Sequence, residues 1–202
     1  MKRTIPKAFC LAALITAVQL GGCAREPQIL LYVRDGSSDF EYMLTQELGV
    51  MKSMLEDAGL RVVVATVSEE SYDRYRATLK PDIFLKNVKV SKYAGFLLPC
   101  MAAGAPGFIE AEAAEMVKEA VAQGKPVAAQ HGSVFTLARA GLLNGKRYAY
   151  GLPLIPEGIY SSTGVVQDGL VITSGICPYN ARLAGSPDGT AELTKKLIEA
   201  IQ

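Results

Sequence analysis

The chain has 202 residues, half of them hydrophobic, a fifth charged, with a formal net charge of +1. That is enough apolar material for one well-buried domain. It excludes a nucleic-acid binder working through a basic surface, because no basic block or interleaved aromatic run occurs.

Residues 1–22 read as a lipoprotein signal peptide. Lys2, Arg3 and Lys7 form a basic start, and Ala8 to Leu20 form an apolar stretch short for a bilayer span. Leu20-Gly21-Gly22-Cys23 resembles a lipobox, with Cys23 as the lipidated residue and 23–27 as a tether. Several acyl chains hold firmly, since each buried methylene contributes about 0.8 kcal/mol. Ala24 follows Cys23, where inner-membrane retention would call for Asp, so the expected anchor in a Gram-negative envelope is the outer membrane. Cleavage removes three basic residues and no acids, which leaves the mature domain slightly acidic. A candidate ordinary secretory signal is the alternative.

Residues 28–202 form the domain. Ile29 to Val33 predicts a buried strand, ended by Asp35-Gly36-Ser37-Ser38. A helix capped near Ser38 or Asp39 and closed by Gly59 follows, with Leu44, Leu48, Met51, Leu55 and Ala58 facing the core. Arg61 to Ala65 is the next strand, and Ser68 to Ser91 reads as loops and short strands around Pro81. Tyr93 to Pro99 predicts a central strand covered on both faces. The helix from Gly107 to Gln123 turns Ile109, Ala113, Met116, Val117 and Ala120 inward and ends at Gly124. A strand at Val127, a turn at Gln130 and a helix to Gly141 come next. Val165 to Ile172 predicts a hairpin with an Asp-Gly turn, and Thr190 is expected to cap a last helix packed through Leu193, Leu197 and Ile201. Strands alternating with helices predict an α/β three-layer sandwich with a mostly parallel central sheet.

Chemistry-bearing residues are scarce. His131 is the single histidine, at a strand-to-helix turn like a nucleophile elbow, where parallel sheets place ligands. The expected apex is Gln130, which forms hydrogen bonds but is no nucleophile near neutral pH. Outside the leader and lipobox only Cys100 and Cys177 remain, a candidate disulfide in an exported protein. One histidine and two cysteines at these separations match no zinc spacing, so no metal and no other cofactor is expected.

These landmarks together resemble the ThiJ/PfpI family, with its flavodoxin-like, class I glutamine-amidotransferase-like fold. The most specific stretch is Gly124-Lys125-Pro126-Val127-Ala128-Ala129-Gln130-His131-Gly132, similar to the family's Gly-Lys-Pro-Val-Ala-Ala-Ile-Cys-His-Gly-Pro elbow. The resemblance implies a thiolate nucleophile, a neighbouring histidine and a glutamate from the first helix. On it, His131 matches the histidine after the nucleophile, Glu47 the glutamate (Glu41 is the competing register), and Tyr150 a site tyrosine. Glu47 interrupts a helical stripe of Met43, Val50 and Met54, and a carboxylate among apolar neighbours resists ionising. Gln130 stands where the family cysteine is expected, and Leu98-Pro99-Cys100-Met101 replaces the usual Leu-Pro-Gly-Gly oxyanion turn.

Two functions follow as expectations. The first is a lipid-anchored pseudoenzyme, paired as a homodimer, whose pocket of Gln130, His131, Tyr150, Glu47, Cys100 and Met101 binds a small polar ligand or partner. The second is an atypical thiol hydrolase or redox enzyme with Cys100 reactive, His131 as its base and Glu47 beside them. Cys100 as a merely structural cysteine is the third reading.

Overall fold

The computed structural model describes residues 26–33, 40–67, 80–100 and 111–202. Cys23, Ser38, Asp39, Met101 and Ile109 lie outside the described residues. Seven strands make one sheet: β1 (Gln28–Tyr32), β2 (Arg61–Thr66), β3 (Ile83–Phe84), β4 (Gly95–Leu98), β5 (Val127–Gln130), β8 (Val165–Asp168) and β9 (Val171–Ser174). Their order is β3-β2-β1-β4-β5-β9-β8, and every pairing is parallel except β8 with β9. A small separate sheet pairs β6 (Arg147–Ala149) with β7 (Ile159–Ser162).

Strand alternation sorts the core into two halves. Leu30, Phe96, Leu98, Val127 and Ala129 pack on one face, with Ala113, Met116, Val117 and Ala120 of α3 (Ala111–Ala122) and Leu137 of α4 (Val134–Arg139). Ile29, Leu31, Leu97 and Ala128 pack on the other, with Met51 and Leu55 of α2 (Val50–Asp57) and Leu193 and Leu197 of α6 (Thr190–Ile201). Burial on both faces explains the unbroken apolar runs of β1 and β4. The α/β sandwich with a mostly parallel sheet is as expected.

Most boundaries agree with the sequence reading. Gly59 and Gly124 end their helices with φ of +76° and +75°, left-handed conformations that glycine adopts without steric cost. Strands β6 and β7 and the helix Pro178–Ala184 were not expected, and three of the expected elements differ in detail. The first helix is not uniform: α1 (Phe40–Met43) passes into a π-helical turn, Leu44–Gly49, before α2. Met43 and Glu47 point inward while Val50 is exposed. The hairpin exists, but its loop is Gly169-Leu170, because Asp168 still pairs with Val171. Thr190 is the first helical residue rather than the cap; Asp188 Oδ1 accepts its N–H at 2.8 Å.

Candidate functional site

Strands β4, β5 and β9 lie side by side, and the loop after each carries one reactive side chain: Cys100, His131 and Cys177. The chain reverses its direction of travel across the sheet between β1 and β4, and the crevice past the carboxyl ends of such strands is where open α/β sheets bind ligands. One ligating atom from each of the three residues lies within 4.8 Å of the others. Cys100 Sγ is 3.6 Å from His131 Nδ1. Both cysteines are free thiols; Cys100 is partly exposed and Cys177 fully buried.

The apex of the turn is His131, a correction to the sequence reading. Its φ of 44° is the only positive value among described non-glycine residues, whereas Gln130 has ordinary extended backbone. A left-handed non-glycine residue is strained and survives only where its surroundings hold it. Counted without a gap from Gly124, the family elbow also places its nucleophile at position 131. Histidine therefore stands at the strained apex of this turn. Gln130 is the last strand residue and shares the Ala128 face, so its side chain turns away from the crevice toward α6. There Nε2 donates to Ile176 O and to Thr190 Oγ1, both at 3.0 Å. It is not among the residues lining the depression beside His131. It ties down the residue preceding Cys177.

Several contacts fix His131 and Cys100 relative to each other. The imidazole stacks on Tyr150, centroids 5.0 Å apart and planes 19° apart, and Phe135 meets the same tyrosine edge-on. Ser133, in the turn after His131, donates its hydroxyl to Pro99 O, the residue before Cys100. Glu47 is completely buried, and its Oε1 accepts the Cys100 N–H at 2.7 Å. That position decides the register: Glu47 reaches the site, while Glu41 is exposed.

The two thiols share protons unequally. A hydrogen bond from Cys100 pushes Cys177 down to about 5, with His131 and the Asn180 backbone helping against the effect of burial. The same bond to Cys177, with burial and the Glu47 charge, raises Cys100 well above the thiol range. The pair thus loses its first proton easily and holds the second. Burial and the nearby sulfurs also raise Tyr150. Beside His131 opens a depression of about 310 Å³, lined by Gly151, Gly175, Ile176, Asn180 and Leu183.

Fold and site together define a parallel-sheet α/β protein of the elbow type, with its polar groups gathered at the strand ends. The chain belongs to the DJ-1/PfpI family, whose pattern matches residues 27–184. A protein of Archaeoglobus fulgidus is 35% identical over 126 residues, 59% of this chain and 75% of that one. Among solved structures, Drosophila melanogaster DJ-1beta superposes with a TM-score of 0.61 at 21% identity, over 87% of this chain and 90% of that one. A ThiJ/PfpI domain protein from Brachyspira murdochii gives 0.59 at 15% identity, over 87% and 97%. A two-domain Anabaena variabilis protein, with a DJ-1/ThiJ/PfpI-like and a ferritin-like domain, gives 0.56 at 22% identity. This chain covers 87% of its own length there and 55% of that protein.

The sequence reading paired Cys100 with His131 and Cys100 with Cys177 as candidates, and the structure brings all three within 4.8 Å with both thiols free. The signal that finds the grouping is positional: each lies one to three residues beyond a strand of the parallel core.

Proposed function

We propose that this protein is a lipid-anchored envelope member of the DJ-1/PfpI family whose elbow site is a dithiol–imidazole redox centre. The observation that carries the reading is the meeting of Cys100, Cys177 and His131 within 4.8 Å, with Cys100 partly exposed and Cys177 fully buried. Its substrates are low-molecular-weight disulfides. Cys100 attacks one sulfur of the disulfide, its proton passes to Cys177 or His131, and the S–S bond breaks with the first half leaving as a thiolate. Cys177 then attacks the Cys100 sulfur, the second thiol departs with the remaining proton, and a Cys100–Cys177 disulfide remains. Thiol chemistry of the hydrolytic kind is disfavoured here, because the Cys100 N–H that an oxyanion would need already binds Glu47.

The test is to treat reduced protein with glutathione disulfide and map the products by mass spectrometry. The expected product has lost two hydrogen atoms and links the Cys100 and Cys177 peptides; Cys100→Ser forms no link. Persistence of both free thiols would sink the reading. A second reading, a non-catalytic pocket for a small polar ligand, is favoured by the imidazole standing at the strained apex beside an open depression. Under it, Cys100→Ser leaves the cellular phenotype unchanged. Lipidation at Cys23 and pairing as a homodimer complete the proposal. Palmitate labelling that survives Cys23→Ser would remove the anchor from it.

A further inference from the structure

We propose that the reduced site binds one zinc ion through Cys100 Sγ, His131 Nδ1 and Cys177 Sγ. Zinc takes thiolate and imidazole ligands in tetrahedral geometry, at about 2.3 Å for sulfur and about 2.0–2.1 Å for nitrogen. Two such ligands on one tetrahedral ion stand about 3.6 Å apart. Cys100 Sγ and His131 Nδ1 are 3.6 Å apart with no ion present. Cys177 Sγ lies within 4.8 Å of Cys100 Sγ and of a ring nitrogen of His131, so closing the set asks for a shift of about an ångström.

The surroundings favour occupancy. Three loops from adjacent strands deliver the ligands, and each is separately held: Cys100 by Glu47, the Cys177 loop by Gln130, the imidazole by Tyr150. Outer contacts of this kind orient ligands and commonly change affinity by about 10–100-fold when lost. Glu47 and Tyr150 do not compete for the ion, since the carboxylate is turned to the Cys100 backbone and the tyrosine lies flat on the ring. Three protein ligands leave a fourth position for water or an exogenous donor, the arrangement of an open rather than a closed zinc site. A soft Cys₂His set also selects against magnesium and calcium. Both sulfurs bind as thiolates, so uptake releases protons, and it replaces the 3.0 Å hydrogen bond from Cys177 Sγ to Asn180 Oδ1 with a metal bond. A Cys100–Cys177 disulfide removes two of the three ligands, so oxidation and metal binding exclude each other.

The test uses the mature protein in mild detergent, reduced and stripped with a chelator. Titration with zinc against a chromophoric chelator is expected to show one ion per chain. Cobalt in its place is expected to give thiolate-to-metal charge-transfer absorption and intense tetrahedral visible bands. Cys100→Ser and His131→Gln are expected to weaken zinc by more than about a hundredfold, beyond the usual loss from an outer contact, with circular dichroism unchanged. Gln130→Leu, which touches no ligand atom, is expected to weaken it less. No uptake by the reduced protein overturns the inference, as does uptake that survives both ligand variants. A protein that forms the disulfide but takes no zinc keeps the redox reading and loses this one; zinc uptake without disulfide formation does the reverse.

Discussion

At the scale of the residue, two substitutions relative to the family elbow explain the site. A histidine sits at the strained apex, and a cysteine sits in the neighbouring turn where glycine is usual. The Cys100 thiol follows the strand next to that of His131 and lies 3.6 Å from the imidazole. Because Cys177 is pushed down to about 5, reduced metal-free protein should show ultraviolet thiolate absorption at pH 7. The sign is that of an acid with a depressed pKa: thiolate persists above about 5 and is lost as pH falls through it. Cys177→Ser should abolish that absorption, and a thiolate appearing only above pH 8 would contradict the hydrogen-bonded pair. Glu47 is tested by two variants. Glu47→Leu strands the Cys100 N–H in a buried place and should destabilise by about 1–3 kcal/mol in chemical denaturation. Glu47→Gln keeps an acceptor oxygen and should cost less.

At the scale of the element, the β9-to-α5 loop decides whether Cys177 reaches its partners, α5 being Pro178–Ala184. Gly175 begins that loop, donates its N–H to Gly164 O, and lies so close to Thr163 that a Cβ would meet the Thr163 carbonyl oxygen at 2.5 Å. Such contact is with backbone, which cannot turn aside. Gly175→Ala should therefore displace the loop, cost about 1–3 kcal/mol as an overpacked site, and slow Cys100–Cys177 disulfide formation. Equal disulfide rates in wild type and variant would show that the loop is not held by this contact. The π-helical turn plays the matching part for Glu47. Glu47 and Leu48 are the buried residues of Leu44–Gly49, and Glu47 follows Met43 by four residues, so the two face inward together.

At the scale of the whole molecule, no helix among the described residues is long and apolar enough to cross a membrane. Leu152, Leu154, Ile159 and Tyr160 are exposed in the segment of β7 and the loop before it. The proposed homodimer offers a cover for them. Sedimentation should give a dimer, and joint Leu154→Asp and Ile159→Asp substitution should give a folded monomer. A wild-type monomer at all concentrations would remove dimerisation from the proposal.

Much of the fold was legible in local pattern. Apolar runs bounded by turn residues marked β1, β4 and β5, and glycines marked the helix ends at Gly59 and Gly124, because alternation, periodicity and left-handed φ are properties of short stretches. Gln130 was read as the apex, although it follows Ala128 by two residues and strand alternation sends both to one face. The π turn was not readable, since it depends on packing against the sheet. The cluster was legible only as candidate pairs, Cys100 with His131 and Cys100 with Cys177, without their distances. Cys100, His131 and Cys177 are far apart in the chain and meet only because β4, β5 and β9 are neighbours in the sheet. Strand order is settled by crossover connections and the burial of both faces, which no local stretch encodes. The sequence by itself determined the layers, the core and the supply of reactive groups; the tertiary structure decided which of those groups stand within reach of one another.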